Sequence, residues 1–179
     1  MYYSTKHLTP VGTLTLASDG EDLVGLWIEG QKYFGDTIPD KMTEKNELPI
    51  FVSTKRWLDR YFSGEKPLVS ELSLRPHGGE FRQEVWDILC EIPYGEVITY
   101  GEIAKKMANR LGKERMSSQA VGGAVGHNPI SIIIPCHRVV GTSGNLTGYA
   151  GGVGTKAMLL EHEGVDMSAL FFPKKSSAL

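Results

Sequence analysis

Long apolar runs are absent from this 179-residue chain, and nothing in it approaches the roughly 20 consecutive apolar residues that a membrane-spanning helix needs. The opening Met1-Tyr2-Tyr3-Ser4-Thr5-Lys6 lacks the apolar core of a secretory signal, so a cytoplasmic protein without membrane contact is expected. Cysteine is scarce: Cys90 and Cys136 are the only two, none precedes position 90, and no Cys-x-x-Cys pair occurs. That speaks against a disulfide framework, and free thiols suit a reducing compartment. A structural zinc site wants about four closely spaced Cys or His ligands, which the chain does not offer, so no metal and no cofactor are expected. Internal repeats and low-complexity tracts are also missing. What remains is a chain that is 41% hydrophobic, enough to bury a core as one domain or two small ones.

The net charge of −2 hides an asymmetry. Residues 1–95 carry 10 Lys/Arg against 15 Asp/Glu, whereas residues 96–179 carry 9 against 6. The second half is therefore where a polyanion would bind. Within it Lys105, Lys106, Arg110, Lys113 and Arg115 cluster, a pattern that fits either a nucleic-acid contact or a solvated helix face.

Along the first 30 residues apolar and polar positions alternate, as in Leu14-Thr15-Leu16 and Leu23 to Ile28, with Asp19-Gly20 as a turn, which predicts a β-hairpin or meander. Phe51, Leu58, Tyr61 and Phe62 have helical spacing, Gly64 ends that segment, and a short strand is expected over Leu68–Leu74. Arg75-Pro76-His77-Gly78-Gly79 reads as a linker dividing an α+β domain, residues 1–77, from a mostly helical one, residues 78–179. Beyond it Phe81, Val85, Trp86 and Leu89 form a helical stripe, beside which Cys90 is expected to be a buried structural thiol. Thr99 with Glu102 has capping-box spacing and predicts a helix through Met107. Ser117 or Ser118 can cap a second, glycine-rich helix, and the pair reads as a helix-turn-helix. Each helical glycine costs about 1 kcal/mol relative to alanine, so Gly122 and Gly123 imply a close backbone approach, either to protein or to DNA. The tail from Phe172 to Leu179 is expected to fray.

The chemistry concentrates at Ile134-Pro135-Cys136-His137-Arg138-Val139, where a thiol stands beside a histidine. A thiol attacks as thiolate, and with an ordinary pKa of about 8.5 it needs a base. Neighbours on an extended strand point to opposite faces, so direct contact between His137 and Cys136 does not follow from their adjacency, and a bridging water would resolve the geometry. Read alone, His137 also suits a hydrogen-bonded interior histidine, Glu163 a solvated carboxylate, Tyr100 and Tyr149 packing residues, and Asn128-Pro129 a helix-ending pair.

Four ordered segments carry a resemblance: Ala120-Val121-Gly122-Gly123-Ala124-Val125-Gly126-His127-Asn128-Pro129, the Pro-Cys-His-Arg stretch, Gly148-Tyr149-Ala150-Gly151-Gly152, and Leu159-Leu160-Glu161-His162-Glu163-Gly164. Together they resemble the methylated-DNA–protein-cysteine methyltransferases, over roughly residues 80–165 and more faintly before. The resemblance implies a ribonuclease H-like α+β domain, a small sheet with a helix, followed by a mostly helical domain containing the helix-turn-helix. It implies transfer of an alkyl group from O6 of guanine in double-stranded DNA to Cys136, through a relay of Cys136, water, His137 and Glu163. Tyr100 would meet guanine N3, backbone near Ala150 and from Cys136 through Arg138 to Val139 would read the base edge, and Tyr149 would wall the pocket. Asn128 would be the hinge tying the recognition helix to the active-site turn, and the nucleotide would be flipped out of the stack. Lys105, Lys106 and Arg115 would face the phosphates of DNA bound by a monomer. Some relatives hold zinc in the N-terminal part, but only His7 and His77 stand there, so none is expected. One departure is that Gln119 stands where the family places an intercalating arginine. The alternatives are a non-enzymatic alkylated-DNA sensor, in which the cysteine is replaced, and a thiol hydrolase that turns over.

Overall fold

The computed structural model describes residues 1–173, and the expected fraying of positions 174–179 lies outside the described residues. The chain divides into two compact units, residues 1–78 with 129–133, and residues 79–128 with 134–179.

The first unit is an α+β domain built on a sheet of β1 (Tyr2–Thr9), β2 (Gly12–Ser18), β3 (Leu23–Ile28) and β4 (Met42–Glu44) in the order β3-β2-β1-β4. The first three run antiparallel, and β4 lies parallel to β1. Gly12, at φ +108°, turns β1 into β2 in a conformation that a side chain would resist. Every residue of β3 is buried, as a strand covered on both faces must be. Helix α1 (Pro49–Phe62) opens on proline at its first turn, where the missing N–H costs nothing, and buries Phe51, Thr54, Trp57, Leu58 and Tyr61. The strand expected over Leu68–Leu74 does not form. At Leu68 the Glu71 carboxylate takes the backbone N–H at 2.6 Å and the Trp57 indole donates to the carbonyl at 2.8 Å, so a 3-10 turn at Val69–Glu71 replaces the ladder. A single bridge, Leu23 to Leu74, is what survives. Pro129–Ile133 runs beside β3, joined by the Leu26 N–H to the Pro129 carbonyl at 2.8 Å and the Ser131 N–H to the Leu26 carbonyl at 2.9 Å.

In the second unit α2 (Glu80–Cys90), α3 (Tyr100–Arg110) and α4 (Ser118–Gly126) pack on one another. The two-stranded β5 (Ile98–Thr99) and β6 (Val139–Val140) and helix α5 (Val153–His162) complete it. Thr99 accepts the Glu102 N–H at 3.1 Å and Ser117 accepts the Ala120 N–H at 3.1 Å, so α3 and α4 begin where their caps predict. The Trp86 indole donates to the Ala124 carbonyl at 2.9 Å and seats α4 on α2. Cys90, expected to be buried, is exposed, because the buried face of α2 is Val85, Trp86, Ile88 and Leu89 and the next position turns outward. Among the described residues no helix is long and apolar enough to cross a membrane.

Candidate active site

Asn128 ends the chain's passage out of α4, and its Nδ2 donates to the Ile134 carbonyl at 2.8 Å while the same side chain hydrogen-bonds the Cys136 thiol. The segment it spans is not a strand. Ile133 N–H closes on the Ser131 carbonyl and Cys136 N–H on the Ile134 carbonyl, both at 2.8 Å, as tight three-residue turns. Between the first pair lies Ile132, buried at φ +71°, a left-handed conformation that costs a β-branched residue on the order of 1–3 kcal/mol. Cys136–Arg138 then forms a 3-10 turn, so the extended geometry expected of Cys136 and His137 is absent.

His137 is fully buried, and its Nε2 lies 2.6 Å from Glu163 Oε2. Arg138 grips the same carboxylate, Nε to Oε1 at 2.7 Å and Nη2 to Oε2 at 3.1 Å, while Nη1 donates to the Ile92 carbonyl at 2.7 Å. The Gly95 N–H adds a fourth donor at 3.3 Å. Burial alone would raise the Glu163 pKa, but the hydrogen bonds from His137 and Arg138 outweigh it and hold the carboxyl well below the usual range. An ionised carboxylate only accepts, so Nε2 carries the imidazole proton and Nδ1 keeps its lone pair. Nδ1 is buried and has no hydrogen-bond partner among the described residues. Burial pushes the His137 pKa down, against the pull of Glu163, so the ring is a neutral base with one nitrogen open. The side chain of Arg138 is thus committed to Glu163 and Ile92, and its own N–H donates to the Pro135 carbonyl at 3.0 Å.

Cys136 is 6% exposed, and burial raises its pKa, an effect that Asn128 and the positive charge of Lys156 reduce. The resting pair is therefore thiol and neutral imidazole rather than an ion pair. Tyr100, the first residue of α3, donates its hydroxyl to the Thr147 carbonyl at 3.1 Å, and burial raises its pKa so that it keeps its proton. Gly148, at φ +82°, permits this approach, since a Cβ there would stand 2.5 Å from the Tyr100 oxygen. Tyr149 is buried, with its hydroxyl unpartnered among the described residues, and it lies in the field of Cys136 and Glu163. Ala150 follows it in the same turn, half-buried, and Val139 is wholly buried with its N–H on the Cys136 carbonyl.

Lys156 is the residue that reading the sequence missed. It is 0% exposed, its Nζ donates to the same Thr147 carbonyl at 2.9 Å, and burial pulls its pKa down to about 8. Its place on the stripe of Leu159, Leu160 and Glu163, at i+3, i+4 and i+7, was the available signal. A base whose folded pKa is lowered binds fewer protons folded than unfolded, so its burial destabilises the protein fully below about pH 8 and ceases to do so as pH rises towards the unfolded value near 10.5. Lys156→Met should therefore raise the melting temperature at pH 7, by an increment that shrinks between pH 8 and 10.5. An unchanged or lower melting temperature at pH 7 would show the ammonium to be net stabilising.

Outside this pocket Lys105, Lys106, Arg115 and Gln119 are exposed, the last as the second residue of α4. Arg110 is not free for a ligand: it pairs with Glu91 and, at 3.6 Å, with Glu84, tying α3 to α2. A Cβ at Gly123 or Gly126 would meet nothing within 4 Å, and one at Gly122 only ordinary contact with the Tyr100 ring. Protein packing therefore does not demand the glycines of α4.

Residues 80–165 match the family described as 6-O-methylguanine DNA methyltransferase, DNA binding domain, and residues 1–76 match its ribonuclease-like domain. The chain is 43% identical to a methylated-DNA–protein-cysteine methyltransferase of Haemophilus influenzae over 90% of its own length and 86% of the relative's. It is 44% identical to one from Methanosarcina acetivorans, over 92% and 99%. Among solved structures it resembles the Mycobacterium tuberculosis OGT in complex with DNA, with a TM-score of 0.75 and 40% identity over 90% of this chain and 91% of that one.

Proposed function

Since the chain belongs to the methylated-DNA–protein-cysteine methyltransferase family, we propose that it repairs double-stranded DNA by moving a methyl or small alkyl group from O6 of guanine to its own Cys136, once per molecule. The observation that carries the reading is the open Nδ1 of a neutral His137, whose other nitrogen is held by an ionised Glu163, one residue from a buried thiol. The thiol proton passes to Nδ1 through a bridging water, since Nδ1 has no direct partner among the described residues. Sulfur then attacks the alkyl carbon, the S–C bond forms as C–O6 breaks, and the electron pair goes to the purine. Tyr100, which keeps its proton, leaves Thr147 and offers its hydroxyl to N3 of the departing base. Backbone at Ala150 and from Cys136 to Val139 reads the base edge, and Tyr149 walls the pocket. O4-alkylthymine has the same alkyl–oxygen bond and belongs to the proposed substrate class. The thioether has no route back to thiol, so stoichiometry is the test. Labelled methyl should move from DNA to protein up to one equivalent, and multiple turnovers would instead support a thiol hydrolase.

The division of labour follows the two halves. Residues 78–179 carry the chemistry and the DNA surface, residues 1–77 carry neither, and the protein acts as a monomer in a reducing, cytoplasmic setting where Cys136 stays a thiol. A base inside a duplex cannot reach a buried thiol, so the nucleotide is rotated out while α4 lies against the strand with Lys105, Lys106 and Arg115 near phosphates. Glycines that no protein neighbour requires suit that close approach. Asn128, bonded both to the Ile134 carbonyl and to Cys136, is the hinge between α4 and the nucleophile. Gln119 fills the vacated stack. Gln119→Gly should slow reaction with duplex on the order of tenfold while leaving the free base O6-benzylguanine, which needs no flipping, unaffected. Equal loss on both substrates would remove Gln119 from that role.

A further inference from the structure

Behind the base pocket lies a segment that the mechanism does not use. After Glu163 the chain turns at Gly164, at φ +79°, forms a 3-10 turn at Met167–Ala169 capped by Asp166, and returns as Phe171 alongside the loop that precedes Thr147. The Phe171 N–H donates to the Gly144 carbonyl at 3.0 Å, and the Leu146 N–H donates to the Phe171 carbonyl at 2.9 Å. Val165, Met167 and Leu170 pack against the buried cluster of Val140, Leu146 and Leu160. Gly144, at φ +94°, has no room for a side chain, because a Cβ would run into the Ala169 carbonyl. The next residue after Leu146 is Thr147, whose single carbonyl takes both Tyr100 and Lys156.

We infer that residues 165–171 are a strap that positions the base pocket: by pinning Gly144 and Leu146 it fixes the Thr147 carbonyl, which holds Lys156 throughout and Tyr100 until the base enters. The inference rests on the function proposed above and adds to it a division of the loop. The half up to Leu146 is held from behind, and the half from Gly148 to Gly152, with left-handed glycines at both ends (φ +82° and +93°), is left to close on the base. The strap touches no reacting atom, so Phe171 and Gly144 are positioning residues.

Stoichiometric chemistry separates positioning from stability. The fraction of molecules that become alkylated counts folded protein, and the second-order rate constant reports how well each folded molecule is arranged. Phe171→Pro removes the N–H donor and only an exposed side chain, whereas Phe171→Ala keeps the donor. With O6-benzylguanine and with methylated duplex, Phe171→Pro should react to completion at a rate constant lowered about fivefold on both, the factor that one net backbone hydrogen bond is worth. Gly144→Ala should fall in the same direction, and Phe171→Ala should match the wild type. Wild-type rate constants for Phe171→Pro, or a reduced alkylated fraction with an unchanged rate constant, would overturn the strap. A wild-type protein inert towards both substrates would instead overturn the function proposed for the site, and the strap with it.

Discussion

Cys136→Ala should abolish alkyl transfer, with no residual reaction on duplex or free base, while its affinity for alkylated duplex stays within about a factor of three of the wild type. In the proposed reaction the new bond forms at the Cys136 sulfur, and the chain's other cysteine is not poised to replace it. The Cys90 residue is exposed at the end of α2, yet its thiol is partly withdrawn from water, and that desolvation, with Asp87 and Glu91 adding, pushes it up to about 11, so it stays protonated at neutral pH. Affinity survives because phosphate contacts dominate binding to DNA and the variant removes a single buried atom far smaller than a base. Rates and affinities measured side by side on the two proteins test this. Residual transfer by Cys136→Ala would move the nucleophile elsewhere, and Cys90→Ala should react normally.

Glu163→Gln should slow transfer by at least about 100-fold and destabilise the fold by about 3–5 kcal/mol, the range for stranding one partner of a buried ion pair. The carboxylate answers two partners at once, fixing the tautomer that leaves His137 Nδ1 open and neutralising the buried guanidinium of Arg138. An amide offers one acceptor where two oxygens serve, and its NH₂ opposes a donor. The linkage has a definite sign. A carboxyl depressed in the folded state contributes stability that is present above its unfolded pKa of about 4.3 and lost as pH falls towards the folded value. The wild type should therefore lose stability through acid pH, and Glu163→Gln should lose less. In the proposed reaction activity follows the other members of the relay. With His137 lowered and Cys136 raised, transfer should hold at neutral pH, decline only below about pH 6.5 and rise on the alkaline side as thiolate accumulates. If Glu163→Gln weakened DNA binding as much as it slowed transfer, Glu163 would be a structural residue only.

Local rules located the elements better than they located the site. Thr99 and Ser117 cap their helices because a short side-chain oxygen three positions ahead of a free N–H is a purely local fact. The strand expected over Leu68–Leu74 does not form because side chains take the Leu68 backbone, Glu71 from three positions on and Trp57 from α1, and the second contact is written nowhere in the segment itself. Cys90 was misplaced by one step around a helix, where 100° separates core from solvent. His137 and Glu163 meet across 26 residues, which no spacing rule foretells, and only the resemblance to a family named them as partners. Neither source pointed to the clamp of Arg138 on Glu163 or to the burial of Lys156. A cation on an apolar stripe reads as a boundary residue until the carbonyl that receives it, here Thr147, is seen.

Intact-protein mass spectrometry after incubation with an oligonucleotide duplex carrying a single O6-methylguanine tests the central claim most directly. The protein should gain the mass of one CH₂ at full conversion and no more with excess substrate. Peptide mapping should place it on Cys136, and the duplex should be left with an unmodified guanine. Demethylated DNA with no gain on the protein, a gain on any other residue, or continued turnover beyond one equivalent would contradict it.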